Sequence, residues 1–436
     1  MSAPTYDLCL INPPAPWLVQ PHAQAPLGLL YVAAAARAQR QRVCIRNLAG
    51  AGMEPAEWRI EPARVYGITG TYLHVDAVNA LANELKRREP DCRVIVGGPI
   101  HLSSDELDAG AVDTIVRGDG EKVIGDQVAA PGAPVVDGPP AEVEHGLWPA
   151  RDLWPGPFGG DVFIGRRRYF GSGSATICTT RGCPHACAFC AGPALRARTV
   201  RWRDPGDVVR EMERIAIDYG VRQFRLTDEF FTCRPAHAYA VCEEIRRSGV
   251  FCHGSAALAP DLAWRASIGV RPNDVEMFRA MHAAGCREVA FGVESADPAV
   301  LDLLCRKGGP DDAARALANA REAGLRTKAL LMVGLPGTTE RTGELNAAFL
   351  AGATFDAVAM TVFTPMPGCA IHADPAAYGC RVIEERAHRS VCAYGPQGRN
   401  DIRPTIEVAG LGDAAFARQM RATIEMAEGL NVIGRG

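Results

Sequence analysis

Three cysteines stand close together in the chain, at Cys183, Cys187 and Cys190, separated by three and then two residues. Thiolates at this spacing can ligate three irons of a cubane 4Fe-4S cluster and leave the fourth iron without a protein ligand. A zinc knuckle is the alternative, but a closed zinc site needs a fourth ligand, and His185 stands too near Cys183 to supply it easily. The spacing therefore favours a cluster with an open iron.

The open iron matters because a bidentate amino-carboxylate can bind there. S-adenosylmethionine is held in this way, and one electron from the reduced cluster then breaks its C5'–S bond to give methionine and a 5'-deoxyadenosyl radical. This radical abstracts hydrogen from a bound substrate, in a site that must exclude water. The cysteine loop therefore predicts an enzyme in which Cys183, Cys187 and Cys190 are the catalytic metal ligands.

The cysteine spacing, with Phe189 before the last cysteine, resembles the radical S-adenosylmethionine superfamily. The likeness extends over roughly residues 175 to 370, and the first part of the chain resembles the cobalamin-binding-like domain of one large subgroup. The resemblance implies that Phe189 and residues at the ends of later strands contact S-adenosylmethionine.

Carboxylates follow two of the predicted strands of the second domain. Asp228 and Glu229 can accept hydrogen bonds from the methionine ammonium group, and the resemblance implies this role although Thr-Asp-Glu replaces the more familiar Gly-Gly-Glu. Glu294 and Ser295 suit the ribose hydroxyls and the methionine end. Arg306 is a candidate partner for the methionine carboxylate, with ordinary surface charge as the alternative.

The last two predicted strands of this domain also end in candidate binding residues. A Gly-Leu-Pro-Gly bend places Gly334, Leu335 and Pro336 where backbone groups can meet adenine. The following strand supplies an apolar wall that ends at Phe363.

Composition limits the function classes. The chain has 436 residues, 47% of them apolar, which suffices for two domains with their own cores. A formal charge of −3 with interspersed signs gives no broad footprint for nucleic acid, and we interpret Arg166–Arg168 as solvated linker. The longest apolar run, residues 25–36, is too short to cross a bilayer, so we predict a packed helix and no membrane span.

The chain contains fifteen cysteines and shows no signal-peptide pattern over its first residues. We therefore expect reduced thiols and a cytoplasmic protein. A second set, Cys369, Cys380 and Cys392, has gaps of ten and eleven residues that match no compact cluster motif. We interpret these three as scattered thiols and not as an auxiliary cluster.

Short apolar runs alternate with amphipathic stretches in both halves of the chain, which predicts an α/β protein with parallel sheets. Residues 1–128 read as a doubly wound, cobalamin-binding-like Rossmann-type domain with strands at 7–11, 42–46, 65–69, 93–96 and 114–116. A linker rich in proline and glycine follows at 129–172. Residues 173–369 predict a partial (β/α)6 TIM-type barrel, and 370–436 a short C-terminal cap. The barrel strands are predicted at 175–178, 222–227, 262–268, 288–293, 327–333 and 357–363.

The first domain departs from the cobalamin-binding pattern in two ways. It has no Asp-x-His-x-x-Gly motif, and only about fourteen residues join its second and third strands, too few for a full crossover helix. The sequence alone therefore keeps cobalamin as an option that we do not favour.

The sequence thus predicts a radical S-adenosylmethionine enzyme acting on a polar small molecule, such as an amino sugar or another intermediate of antibiotic biosynthesis. The favoured outcome is dehydration or rearrangement of the substrate radical, as in cobalamin-free family members that dehydrate the diol of paromamine. A cobalamin-dependent C-methyltransferase is the alternative, and a non-catalytic iron-sulfur or cobalamin sensor is a remote one. Expected partners are a one-electron donor such as flavodoxin or ferredoxin and a downstream reductase, without nucleic acid or membrane.

Overall fold

The computed structural model describes residues 5–18, 21, 24–141, 147–155, 162–164, 167–170, 174–253, 257–258, 262–271, 273–384, 394–395, 398–399 and 404–429. The chain forms two compact units, Met1–Gly160 and Asp161–Gly436. Within the described residues, no helix combines the length and the apolar character that crossing a membrane requires.

The first unit is built on a sheet of six parallel strands in the order β2-β1-β3-β4-β5-β6. Its strands are β1 (Tyr6–Asn12), β2 (Val43–Asn47), β3 (Ala63–Thr69), β4 (Arg93–Gly97), β5 (Thr114–Gly118) and β6 (Val135–Gly138). Its α-helices are α1 (Leu27–Ala38), α2 (Val75–Arg88) and α3 (Ile124–Ala129). Short 3-10 helices span Pro55–Glu57, Tyr72–His74, Pro99–Glu106, Gly120–Lys122 and Arg151–Leu153.

Apolar side chains cover both faces of this first sheet. Leu8 and Leu10 of β1 join a buried cluster with α1, while Cys9 and Ile11 of the same strand join a second cluster with α2. A parallel strand buried on both faces needs an unbroken apolar run, which is why β1 lacks the alternation of a half-exposed strand. The doubly wound arrangement that the sequence predicts is confirmed.

Two connections differ in how well the sequence anticipates them. Between β2 and β3 the only helix is the 3-10 turn Pro55–Glu57, as the short spacing predicts. By contrast, β6 lies within the stretch predicted as linker. It pairs with β5 from Ile115 opposite Val135 to Gly118 opposite Gly138. The first unit accordingly extends to Gly160.

The second unit contains a sheet of six parallel strands whose spatial order follows the chain, so the first and last strands form its edges. The strands are β7 (Ala175–Ile177), β8 (Gln223–Leu226), β9 (Ala263–Ile268), β10 (Cys286–Glu294), β11 (Arg326–Val333) and β12 (Ala357–Val362). Each of the six barrel strands predicted from the sequence is present, and the α/β fold class is confirmed.

Helices follow the barrel strands and continue beyond them. They are α4 (Gly192–Arg196), α5 (Pro205–Tyr219), α6 (Pro235–Arg247), α7 (Val275–Ala283), α8 (Pro298–Leu303), α9 (Pro310–Glu322), α10 (Glu340–Gly352), α11 (Ala370–Ala373) and α12 (Asp413–Gly429), with 3-10 turns at Phe231–Cys233 and Ala376–Tyr378. Short antiparallel pairs are Val162–Ile164 with Arg167–Phe170, Thr180–Arg181 with Arg201–Trp202, Cys252–His253 with Ala257–Leu258, Cys380–Val382 with Ile406–Val408, and Tyr394–Gly395 with Gly398–Arg399.

Local sequence sets the ends of these helices. Asp204 accepts a hydrogen bond from the backbone N–H of Asp207 at 2.8 Å and so caps α5, and Pro205 occupies the first helical position. Gly220 ends the helix with φ of +67°, a conformation that favours glycine. The helix predicted near the C-terminus is α12, which packs beside α10, with the side chain of Gln419 3.0 Å from where a Cβ on Gly343 would stand.

Candidate functional site

The loop that carries the three cysteines starts two residues after β7 and is closed at its base. Thr180 and Arg181 pair with Trp202 and Arg201 in an antiparallel ladder. Gly182 has φ of +105°, and a Cβ there would stand 2.0 Å from the carbonyl oxygen of Thr199. Only glycine fits this position, so the residue before Cys183 lets the two sides of the loop approach.

Asp228 fastens the start of this loop to the end of β8. Its carboxylate accepts hydrogen bonds from the backbone N–H of Thr179 at 3.1 Å, from the Thr179 hydroxyl at 2.7 Å and from the Thr180 hydroxyl at 2.6 Å. The side chain is buried, and this burial raises its pKa even though the hydrogen bonds act in the other direction. Asp228 therefore positions the loop, and its assignment to the methionine ammonium group stays a prediction.

A buried ion pair network holds the residue that follows β7, Cys178, before the cysteine loop begins. Arg203 donates to Asp207 at 2.7 Å, to Glu211 at 2.6 Å and to the carbonyl of Cys178 at 3.0 Å. All three charged side chains are at least 94% buried. The sequence analysis missed this network, although acids four and eight residues after an arginine that precedes a helix are a signal that could have revealed it.

The three cysteines lie close enough to influence one another's ionisation. The charge of Cys183 raises the pKa of Cys187 and of Cys190, the charge of Cys190 raises that of Cys187, and burial is the largest cause that raises the pKa of Cys187 to about 11. Burial also raises the pKa of Cys183. All three thiols are partly exposed, so a metal centre can reach them, and binding it would displace protons.

The donor set bears on which metal centre fits. A structural zinc site closes with four protein ligands, whereas three thiolates can hold a cubane cluster that keeps one open iron. The trio therefore fits such a cluster better than zinc. His185 stacks on Phe230 at 5.5 Å between ring centroids.

Glu294 and Arg306 lie at the mouth of the barrel beside the cysteines. The negative charge of Glu294 raises the pKa of Cys187, and the positive charge of Arg306 lowers it. Arg306 donates to the carbonyl of Gly292 at 2.5 Å. Arg306 is therefore tied to the site and is not an ordinary surface charge.

The backbone at the end of β10 is unusual. Glu294 has φ of +67°, which is rare for a residue with a side chain, and the pairing of β10 with β11 shifts register between Gly292 and Glu294. Burial raises the pKa of Glu294 to about 7. A strained backbone that holds a carboxylate at a barrel mouth is characteristic of a binding site.

Glu229 and Ser295 differ in where the structure places them. Glu229 is exposed at the mouth, where it accepts a hydrogen bond from the backbone N–H of Gly182 at 3.0 Å, and its charge raises the pKa of Cys183. Ser295 is buried beside Asn346, and its hydroxyl accepts from the backbone N–H of Asp297 at 3.1 Å. Ser295 thus supports the turn into α8, and its contact with S-adenosylmethionine stays a prediction.

The Gly-Leu-Pro-Gly bend forms after β11 as the sequence predicts. Gly334 has φ of +78°, and a Cβ there would lie 3.2 Å from the sulfur of Met420 in α12. Leu335 and Pro336 are buried. Phe363 is also buried and donates its backbone N–H to the carbonyl of Val333 at 2.8 Å. Phe189, by contrast, is only half-buried within the cysteine loop.

Two further cysteines lie near the trio. Cys233 is influenced by the charge of Cys183, and Cys369 by that of Cys190, and in each case burial is the larger cause of a raised pKa. The sequence offered no spacing that would have placed either one here. Cys369 also lies near Cys380, whereas Cys392 is outside the described residues, so the interpretation of scattered thiols stays a prediction.

Glycine-rich loops follow the carboxyl ends of the strands in the first unit. Gly98 has φ of +85°, and a Cβ there would lie 2.8 Å from the hydroxyl of Thr69. The two histidines near these loops have local partners: His74 contacts the Thr71 hydroxyl at 3.0 Å, and His101 contacts the carbonyl of Gly98 at 2.8 Å. This edge of the sheet presents backbone groups to a ligand. Each imidazole makes its hydrogen bond to a residue of its own turn.

Comparison with known proteins places these features in a wider context. The model of the Radical SAM superfamily matches residues 177–349, which include the cysteine loop. An uncharacterized methyltransferase of Pyrococcus horikoshii is 25% identical over 79% of this chain and 76% of its own length.

Solved structures with similar folds cover both units. The methyltransferase TsrM from Kitasatospora setae, determined with cobalamin and a [4Fe-4S] cluster bound, has a TM-score of 0.68 at 20% identity and covers 98% of this chain and 92% of its own. The cobalamin-dependent enzyme OxsB, determined with aqua-cobalamin and S-adenosylmethionine, has a TM-score of 0.60 at 14% identity. It covers 97% of this chain, which spans 61% of OxsB.

Proposed function

Because the chain belongs to the radical S-adenosylmethionine superfamily and is an enzyme of that type, we propose that it is a cobalamin-dependent methyltransferase acting on a polar small molecule. The observation that carries this proposal is the extent of the fold match. A single arrangement of a doubly wound sheet followed by a six-stranded parallel sheet is shared over 98% of the chain with a methyltransferase that binds both cofactors.

The comparisons favour this function over the dehydration that the sequence analysis preferred. Both similar structures were determined with a form of cobalamin, and the relative from Pyrococcus horikoshii is named a methyltransferase. The argument against cobalamin relied on the short connection between β2 and β3. That connection is indeed short, but it does not prevent the first unit from matching the cobalamin-binding fold.

Three cysteines and three charged groups at the barrel mouth have distinct proposed roles. We assign Cys183, Cys187 and Cys190 as ligands of a 4Fe-4S cluster, which supplies the electron for cleavage of S-adenosylmethionine. Glu229, whose Oε2 accepts from the backbone N–H of Gly182, is our candidate acceptor for the methionine ammonium group. Arg306, whose charge acts on Cys183, is our candidate partner for the methionine carboxylate, and Glu294 is our candidate acceptor for the ribose hydroxyls.

We propose that cobalamin binds to the first unit without a protein ligand to cobalt, because this unit has no Asp-x-His-x-x-Gly motif. The loops after β1, β3, β4 and β5 are rich in glycine and proline and would let the backbone approach the corrin. When bound, cobalamin supplies the methyl group, which S-adenosylmethionine renews. A one-electron donor is required in addition.

The proposal is tested by purifying the protein without oxygen in the presence of hydroxocobalamin and reconstituting the cluster. Retained corrin is measured from the visible spectrum after gel filtration. The reduced protein is then incubated with S-adenosylmethionine, and 5'-deoxyadenosine and S-adenosylhomocysteine are quantified. We expect about one corrin per chain and both nucleoside products.

The variant Cys183→Ala is the matched control, because it should retain corrin and form no 5'-deoxyadenosine. Wild-type protein that forms 5'-deoxyadenosine but retains no corrin would contradict the cobalamin-dependent function and return support to dehydration. Failure to form 5'-deoxyadenosine under any reducing condition would contradict the proposed radical reaction itself.

A further inference from the structure

The two faces of the second sheet carry different kinds of side chain. On the face towards the helices, Trp264 contacts Phe231 at 5.6 Å and Phe291 contacts Phe278 at 5.9 Å between ring centroids. Side chains alternate along a strand, so the neighbours of these rings point to the opposite, concave face. There β9, β10 and β11 carry charged residues in their amino-terminal halves, and the short strand β8 carries Arg225.

These charged residues form one layer across neighbouring strands. Arg225 of β8 is in register with Arg265 of β9, and Arg265 is in register with Glu288 of β10. Glu288 is in register with Arg326 of β11, and Lys328 follows two residues later. The charges of Arg265, Lys328 and Arg326 all lower the pKa of Glu288, which confirms that they share a face with it.

Positive charge exceeds negative charge in this layer. Its described residues include four cations and one carboxylate, and the ion pair between Arg265 and Glu288 is long, at 3.5 Å. The guanidinium of Arg225 has neither an ion pair nor a hydrogen bond to any described residue. Burial and the like charge of Arg265 lower the pKa of Arg225 to about 10. Two neighbouring guanidinium groups away from bulk water are costly unless an anion lies between them.

A purely structural salt layer would leave fewer donors unpaired. Buried polar atoms in folded proteins nearly always have a partner, and a structural ion pair is normally completed by further hydrogen bonds. The Nε of Arg265 is buried and has no hydrogen-bond partner. Donors that aim at a shared space without an acceptor are instead what a site for an anion requires.

We propose that Arg225 and Arg265 bind an anionic group, a carboxylate or a phosphoryl group, of the small-molecule substrate. This assignment depends on the proposed function, since it takes the concave face as the substrate site. The forked guanidinium groups suit both oxyanions because each can be bound by two parallel N–H donors. Glu288 then orients Arg265 through their ion pair and acts as a positioning residue.

The rest of the concave face differs from strand to strand. Between the cationic layer and the barrel mouth three strands carry small residues, Ser267, Ala290, Gly292 and Ala359, whereas β11 carries Leu330 and Met332. Six residues separate Glu288 from Glu294 on β10, about 20 Å of strand, and three residues separate Arg225 from Asp228, about 10 Å. The anion would therefore be held below the cysteine loop, with the reacting carbon of the substrate directed towards it.

The test measures anion binding by the cluster-loaded protein in calorimetric titrations with inorganic phosphate and with acetate, against chloride as background. Wild-type protein is expected to bind at least one of the two probes, and the probe that binds tells a phosphoryl group from a carboxylate. Arg225→Gln should weaken this binding about tenfold or more. Arg214→Gln, on the exposed face of α5, is the matched control and should bind as the wild type does.

Two further measurements keep the outcomes distinct. Arg225→Lys retains the charge but loses the fork, so it should fold and bind with an intermediate affinity, which guards against misfolding of the glutamine variant. All variants should load as much iron as the wild type, because the cysteine loop is unchanged. Wild-type protein that forms 5'-deoxyadenosine but binds neither anion, or Arg225→Gln that binds as tightly as wild type, would overturn the anion site while leaving the proposed function intact.

Discussion

The two parallel sheets of this protein are alike in strand number and differ in what their faces carry. The first sheet has apolar side chains on both faces, with Leu10 towards α1 and Ile11 towards α2. The second sheet is apolar towards its helices, and its concave face carries the charged residues Arg225, Arg265 and Glu288 beside apolar ones such as Leu330. Burial on both faces stabilises the first sheet, whereas the second gives up part of that stabilisation to present charge.

This difference indicates where each sheet is expected to bind a ligand. A sheet that is packed on both faces can offer a ligand only its edges and loops, which is where the glycine-rich segments of the first unit lie. A sheet with an open polar face can hold a ligand on the strands themselves, as in a barrel. Four changes test this contrast.

The largest expected effect is at the cysteine loop of the second unit. Replacing Cys183, Cys187 or Cys190 singly with alanine should abolish cluster loading and 5'-deoxyadenosine formation, because two thiolates cannot hold the cubane in place. Iron content, visible absorption and nucleoside product are measured. Cys252→Ser, a partly exposed thiol elsewhere in the same unit, should leave all three unchanged. Activity in any single variant of the trio would show that the cluster lies elsewhere.

Leucine-to-alanine changes compare the packing of the two sheets directly. Leu10→Ala in the first sheet should lower the free energy of unfolding by about 2–5 kcal/mol, because Leu10 is fully enclosed by α1 and its neighbours. Leu330→Ala on the concave face of the second sheet should cost about 1 kcal/mol, because Leu330 is only partly buried. Urea unfolding of both variants measures the difference. Equal costs would remove the distinction between the sheets.

Removing the charges of the concave layer should stabilise the protein. The triple variant Arg225→Met, Arg265→Met and Glu288→Met replaces a sparsely paired ionic layer with apolar side chains of similar length. We expect a gain of about 1–4 kcal/mol in the free energy of unfolding, together with loss of anion binding. A large loss of stability would show that the charges serve the fold, and the contrast between the sheets would then need another cause.

The smallest effect is a pH dependence at Glu294. Burial raises its pKa in the folded state to about 7 from the ordinary value of 4.5, so the folded state favours the protonated form. The resulting penalty is absent below pH 4.5, grows between pH 4.5 and 7, and is constant above. Glu294→Gln should therefore raise the free energy of unfolding of the cluster-free protein at pH 8 by about 2 kcal/mol and change little at pH 4. A pH-independent difference would contradict this.

Sequence reasoning located the strands well because each is a short apolar run bounded by glycine or by a helix cap. It also selected the residues that converge at the barrel mouth, including the three cysteines, Glu229 and Arg306. It missed β6, a four-residue edge strand in a proline-rich stretch whose pairing comes only from β5. Apolar content carries no signal for a strand this short and exposed.

The direction of individual side chains was harder to predict. Asp228 and Ser295 follow barrel strands as expected, but Asp228 turns back onto Thr179 and Ser295 turns onto Asn346. The register shift before Glu294 changes the direction of the side chains that follow it. Local residue propensities do not predict such a shift. The cationic layer was not predicted either. Charged residues on a strand are typical of a solvent-exposed face, and only the strand pairing shows that they lie side by side within the barrel.

The hydrogen bonds from Thr179 and Thr180 to Asp228 have a consequence for cluster assembly. Because the chain alone makes these hydrogen bonds and the Thr180–Arg181 strand pairing, the start of the cysteine loop is already ordered before a cluster binds. Little conformational entropy of this segment is then lost when a cluster binds, because its residues are already fixed. In a variant without the Asp228 carboxylate, the start of the loop would become ordered only when a cluster binds, and cluster binding would then be weaker.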